Sequence, residues 1–438
     1  MKNFVKRHLT GILAVFLLSV IAVLGYAVSR GTVVYSSTLG EDDLTPASAV
    51  GPEAPKVEEP VAPSPDYKKV LPKSASPSDE YLFTQKICGV GNVTLRQSHV
   101  TPMGLYLLAD TDCKEGDVDG ERPTVGILKL DAVGNLVETV SLPAGVPTYY
   151  VASQISPLGL VVVTKNSSRN YLYVNVVPYG SGDVKTSLVS YAEHVEIYAT
   201  DDGFLLFSGD ETEGVLYEYG ENGHRFLTLP ANEIVKFFEY LDHYTIFFNA
   251  PTGYGYCEVR KKTFVIHKEQ NFSTGRLLDI LPVESDGQKL IAVLDDGGTV
   301  LKKYDPTSMN ESAERKIGSY AVLGLGTDGE KIYMAVKGAV NGIVVADGDL
   351  STTFSATDGN FLPKSLLDYY YDEGSFYLLL SGEERSALVK IDESGSKSVY
   401  LPPTENARLC PNVNGTFTVA VDGKYYGYNA IDLYGLTI

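Results

Sequence analysis

Asp201 to Tyr219 reads DDGFLLFSGDETEGVLYEY. An Asp-Gly turn leads into an apolar strand, then a short polar loop and a second strand of alternating character. The design recurs on both sides: GLYLLADTD from Gly104, GLVVVTKN from Gly159, YTIFFNA from Tyr244, KLIAVLDD from Lys289, KIYMAVKG from Lys331, SFYLLLSG from Ser375 and TFTVAVDG from Thr416. Eight units result, with apolar strands starting at a mean spacing of about 44 residues.

Four short strands and their turns need about 40 to 50 residues. The third unit divides into Val195 to Thr200, Phe204 to Ser208, Val215 to Tyr219 and Phe226 to Leu229. The seventh divides into Leu366 to Tyr371, Phe376 to Leu380, Ala387 to Ile391 and Ser398 to Leu401. Asp-Gly and Asn-Gly pairs supply the positive φ angles of tight hairpins, and Asp202-Gly203, Asp328-Gly329 and Asp422-Gly423 are read as turns rather than catalytic acids. In pattern and period, residues 81–438 resemble the β-propeller superfamily. The resemblance implies an all-β fold, a single propeller of about eight four-stranded blades, with seven as the alternative because the second unit is stretched. Closure implies that Tyr81 to Ile87 or Ile431 to Leu436 completes a shared blade.

The chain has no tryptophan. The Trp-Asp dipeptide of WD40 blades, the aspartate box of sialidases and the tryptophan docking motifs of quinoproteins are therefore missing. Kelch-type paired glycines are missing too, since Gly297-Gly298 stands alone. No family's catalytic residues can be carried over.

Ahead of the repeats, Lys2, Lys6 and Arg7 precede Gly11 to Val28, an uncharged run. At 1.5 Å per residue it spans roughly 27 Å, close to the hydrocarbon thickness of a bilayer. The positive flank orients residues 1–10 to the cytoplasm and everything after Arg30 outside it. A secretory signal cleaved near Ser29 is the competing reading, but its apolar core would ordinarily be shorter, so 11–28 is read as a retained signal anchor. Residues 29–80 are rich in Pro, Ala, Ser and Glu and read as a disordered linker. Stretched as polyproline II, the part from residue 46 to residue 80 would reach roughly 110 Å.

The formal net charge is −19, and residues 1–30 hold four cations and no acid, so the body is more acidic still. Such a surface repels nucleic acid and anionic headgroups and favours metal cations or a basic partner, if it does more than keep the chain soluble.

Four cysteines lie in the exported part: Cys88, Cys113, Cys257 and Cys410. Propeller topology places the entry to a blade's first strand and the exit from its second on one face, so a Cys88–Cys113 disulfide is the candidate bridge. Cys257 and Cys410 fall within strands, where a buried free thiol is the commoner outcome. The longest polar loop carries Asp110, Asp112, Glu115, Asp117, Asp119 and Glu121. It has carboxylates enough for calcium but departs from the EF-hand pattern at Lys114. No other cofactor is implied. Equivalent loops carry Asp210, Glu211 and Glu213, and Glu383 and Glu384, while Tyr149 and Tyr150 are read as a loop pair on the same rim. Among the histidines, His99 and His194 lie on or near first strands that would approach the central channel. The many tyrosines suit blade interfaces.

With no nucleophile elbow, phosphate loop or dinucleotide fingerprint, the expectation is a binding or scaffolding module. It would be tethered to the membrane by a single pass, with its folded domain extracytoplasmic, holding a protein or cell-envelope polymer on one rim. The alternative is a polysaccharide hydrolase or lyase with carboxylates at the propeller channel.

Overall fold

The computed structural model describes residues 68–70 and 81–438, the latter without 89–92, 102–103, 114–121, 132–135, 143–147, 167–170, 180–181, 191, 221–222, 273–274, 285–286, 339–341, 357–364, 393, 413–414 and 426–427. The tail 1–10, the anchor 11–28 and all of the linker 29–80 except Lys68–Val70 lie outside the described residues. Among the described residues no helix is long and apolar enough to cross a membrane.

Eight antiparallel sheets form the eight blades of a propeller. The first strands of blades 1 to 8, in order, are Val93–Thr101, Thr148–Ser156, His194–Ala199, Glu233–Glu239, Arg276–Glu284, Ala321–Thr327, Leu366–Asp372 and Ala407–Pro411. Each first strand lies beside those of the blades before and after it, so the eight form a closed inner ring. The second strands begin at Gly104, Gly159, Phe204, His243, Gln288, Lys331, Ser375 and Phe417, within a residue of the repeat read from sequence.

The physical reason for that legibility is burial on both faces. Eight clusters of buried apolar side chains each span one blade junction. In blade 1, Leu105 and Leu107 pack towards blade 8 while Tyr106 and Leu108 pack towards blade 2. A second strand is thus covered by strands on both edges and by blades on both faces, so it is an unbroken apolar run, as in Phe204–Gly209, where every residue is buried. Outer strands have one free edge and alternate instead, as Val265–Phe272 does. Tyrosine fills the junctions as expected, with Tyr198, Tyr256 and Tyr304 among the largest fully buried side chains.

Both chain ends build blade 8, because Phe83–Cys88 pairs with Tyr428–Leu436. Lys68–Val70 adds a short fifth strand against Lys86–Cys88.

One turn reading is corrected. Asp202-Gly203 and Asp328-Gly329 do lie in turns, the second with Gly329 at φ +95°. Asp422-Gly423 lies within the strand Phe417–Tyr425.

Gly209 and Gly214 face each other across a ladder in blade 3, and the fully buried Phe207 ring occupies the space above both. A Cβ at Gly214 would come within 2.3 Å of that ring. Gly214→Ala is therefore expected to cost roughly 1–3 kcal/mol, read as a lower denaturant midpoint at unchanged slope.

Candidate functional site

The rim residues singled out from sequence are distributed as follows. Asp110 lies on the second strand of blade 1, Gly104–Cys113, whose last two residues are Asp112 and Cys113. The side chains of Asp112 and Cys113, of Glu115, Asp117, Asp119 and Glu121, and of Cys88 lie outside the described residues. Asp210, Glu211 and Glu213 form the exposed hairpin between the second and third strands of blade 3. Asp210 is spent on that turn: its Oδ1 accepts the N–H groups of Thr212 (2.9 Å) and Glu213 (3.1 Å), and these bonds hold its pKa down. Glu383 and Glu384 are exposed in the matching hairpin of blade 7.

The two described acidic hairpins each join the second and third strands of their blade, and blades 3 and 7 are separated by three blades on either side. Among the described residues no three His, Cys, Asp or Glu side chains are grouped as a metal ion would require. Cys257 and Cys410 are buried free thiols, and burial pushes Cys410 up to about 12.

Tyr149 and Tyr150 are not in a loop but in the first strand of blade 2, so they sit on the inner ring. Tyr149 is exposed. Tyr150 turns inward, and its hydroxyl lies 3.0 Å from Ser153 Oγ, which in turn lies 2.7 Å from His99 Nε2 on blade 1. Desolvation within the ring of strands pulls His99 down to about 4, although the residue as a whole is only half-buried. It therefore stays a neutral imidazole at physiological pH.

The chief polar feature of the ring is a set of stitches between blades. The N–H of Leu95 (blade 1) donates to Asp422 Oδ1 (blade 8) at 3.1 Å, and that of Tyr150 (blade 2) to Asp110 Oδ1 (blade 1) at 3.2 Å. The N–H of Leu277 (blade 5) donates to Asn249 Oδ1 (blade 4) at 2.9 Å. Ile234 (blade 4) donates to Glu196 Oε2 (blade 3) at 3.0 Å, and Leu409 (blade 8) to Asp368 Oδ2 (blade 7) at 2.8 Å.

Leu95, Tyr150, Ile234 and Leu277 each directly precede a break in strand register. A bulge leaves a backbone N–H outside the ladder, and a buried N–H must find an acceptor. The neighbouring blade supplies one.

Asp110, Asn249 and Asp422 occupy the same place, the polar residue ending the apolar run of a second strand, in GLYLLAD, TIFFN and TFTVAVD. That recurrence was the available signal. Blade 3 has Gly209 there, and Glu196 on its first strand takes over the role.

Glu196 and Asp368 are the ring's buried acids. Desolvation raises Glu196 to about 8 and Asp368 to about 6, against the lowering effect of the hydrogen bonds each accepts. They stand on blades 3 and 7, half a ring apart. Glu233, whose charge adds to the upward shift of Glu196, is held by Arg276 at 3.0 Å and by Asn249 Nδ2 at 2.9 Å.

A scan against protein-family models matches none, and a search of curated proteins finds no match. Among solved structures, Sqt1 of Saccharomyces cerevisiae superposes with a TM-score of 0.53 at 8% identity, over 80% of this chain and 96% of that one. The C-terminal WD40 domain of Sif2 does so with a TM-score of 0.52 at 10% identity, over 79% of this chain and 97% of that one. At such identity the likeness is one of fold, and with the eight sheets and the closed inner ring it makes this chain an eight-bladed β-propeller.

Proposed function

We propose that the chain is a membrane-tethered, extracytoplasmic β-propeller that works as a binding or scaffolding module, presenting the face of its second-to-third-strand hairpins to a protein or cell-envelope polymer. The observation carrying this reading is that the two buried acids of the ring, Glu196 and Asp368, each accept a backbone N–H of the next blade. Acids used as acceptors for backbone N–H groups stiffen a platform and leave the exposed hairpin tips as the variable surface.

The competing reading, a polysaccharide hydrolase or lyase, needs two carboxyl groups about 5 to 10 Å apart across a bound sugar. Glu196 and Asp368 stand on opposite sides of the ring, and Glu233 is occupied by Arg276 and Asn249.

The test is affinity capture from cross-linked membranes with the full chain, wild type against a variant carrying Glu211→Lys, Glu213→Lys, Glu383→Lys and Glu384→Lys. All four side chains are exposed, so the melting temperature should stay within about 2 °C of wild type. A specific partner is expected with wild type and at least tenfold less of it with the variant. Recovery of no partner by either protein would count against the reading.

A further inference from the structure

The junction between blades 3 and 4 contains a chemical imbalance. His194, Glu196 and Tyr198 alternate along the first strand of blade 3, opposite Gly209, Phe207 and Leu205, and so share the face turned to blade 4. Tyr198 Oη lies 2.9 Å from both Glu196 Oε2 and the Ile234 carbonyl, so its single proton is shared between the two acceptors, and the Ile234 N–H donates to the same Oε2. One carboxyl oxygen is thus engaged by the Ile234 N–H and by a share of the Tyr198 proton. The other, Oε1, is buried with none, in a side chain only 4% exposed.

Two further buried polar atoms nearby are also without a partner. The first strands of blades 3 and 4 run in the same direction, and Glu196 stands beside Ile234. Asn232, two residues before Ile234, therefore stands beside His194, two residues before Glu196. The Asn232 carbonyl lies 3.5 Å from where a Cβ of Gly209, the cross-strand partner of His194, would be. Asn232 Oδ1 and His194 Nδ1 are both buried without a partner. Two acceptor oxygens, Glu196 Oε1 and Asn232 Oδ1, thus share the junction with a His194 nitrogen whose role follows its tautomer, all three without a partner, and a buried polar atom left this way is costly.

Among the described residues, the Lys and Arg side chains paired with acids on or beside the first strand of blade 4 are Arg276, Lys236 and Lys261, the last with Glu239. Of the charged groups on the first strand of blade 4, Glu233 is paired with Arg276 and Lys236 with Asp279 at 3.3 Å. The other titratable groups here are His194 and Tyr198 on the same strand and, from blade 4, Tyr244 and Cys257.

We propose that Glu196 is held in the folded ring as the neutral acid, its proton on Oε1 donated across the junction to Asn232 Oδ1, so that one proton latches blade 3 to blade 4 and its loss loosens that joint.

Burial moves the acid from 4.5 to about 8, which agrees with the geometry. The sign follows from linkage. A folded-state pKa above the unfolded one means the folded state binds the extra proton. The latch's contribution is therefore full below 4.5, falls as pH rises, and is gone above about 8. Asp368 acts in the same sense but over a lower range, ending at about 6.

The experiment is thermal unfolding of the full chain, wild type and Glu196→Gln, between about pH 6.5 and 9, with hydrogen exchange at the Ile234 amide. Wild type should lose stability as pH rises through this window while E196Q stays flat, melting at least about 5 °C above wild type at the alkaline end. Exchange at Ile234 should speed up with pH in wild type beyond the intrinsic rate. A flat wild-type profile would mean a buried water satisfies Oε1 and would overturn the proposal. So would an E196Q protein less stable than wild type near neutral pH, the sign of an imidazolium–carboxylate pair with His194, or a profile altered by a chelator, the sign of a bound cation. If E196Q does not fold, the infrared carbonyl band of a protonated carboxylic acid in wild type decides. Its presence at neutral pH and loss at alkaline pH supports the latch, and its absence sinks it.

Discussion

Removing residues 1–88 is expected to destroy the cooperative fold of the ring rather than trim its edge. Phe83–Cys88 is the fourth strand of blade 8 and covers the edge of Tyr428–Leu436. Ile87 is fully buried in the cluster that joins blade 8 to blade 1, against Leu95, Leu107, Cys410 and Leu433. Without this strand the last blade loses its covering edge and part of the core that closes the circle, and an exposed strand edge templates aggregation. The expected outcome is a melting temperature lower by more than about 10 °C, with a large aggregated fraction in size exclusion. Deleting residues 1–66 leaves every described strand in place and should shift melting by less than about 2 °C. The milder variant Ile87→Asp, which places a charge at that closed junction, should cost roughly 4 kcal/mol or more. If removing 1–88 left a two-state unfolding transition near the wild-type temperature, closure by the N-terminal strand would be refuted.

The second large effect is expected at Asp422. Its carboxylate accepts the Leu95 N–H through Oδ1 and Asn406 Nδ2 through Oδ2 at 2.8 Å, and Asn406 Nδ2 also reaches the Leu95 carbonyl at 2.7 Å. One acid thus connects a C-terminal blade to an N-terminal one across 327 residues of sequence. Asp422→Leu leaves both donors wanting an acceptor, at a cost of about 2–5 kcal/mol for the two groups. Asp422→Asn keeps an acceptor oxygen and should lose less than half as much. Denaturant titration of both variants checks the order. Equal losses would show that the ionic character of Asp422 matters more than its role as an acceptor.

Much of the architecture was legible from single residues. The apolar runs in GLYLLAD and FLLFSG announce strands buried on both faces, and their spacing sets blade size, with eight blades counted and seven left as the alternative. The free thiols of Cys257 and Cys410 followed from their place within strands. The places of His99 and His194 on first strands followed from the division of each unit into strands. Tyr149 and Tyr150 were misplaced because a first strand beginning at Thr148 comes straight after a proline-containing stretch and has no unbroken apolar run of its own.

The amino-acid sequence alone determined the repeat and its period, because both depend on local alternation and turn chemistry that every unit carries within itself; eight blades rather than seven, and the joining of both chain ends in blade 8, came from the pairing of the strands. Only the tertiary structure decided which polar side chains matter. Glu196 meets Ile234 38 residues away and Asp368 meets Leu409 41 residues away, across junctions between separate sheets. The cost of a buried carboxyl depends on which backbone N–H the next blade turns towards it, and that is settled only when the ring is closed.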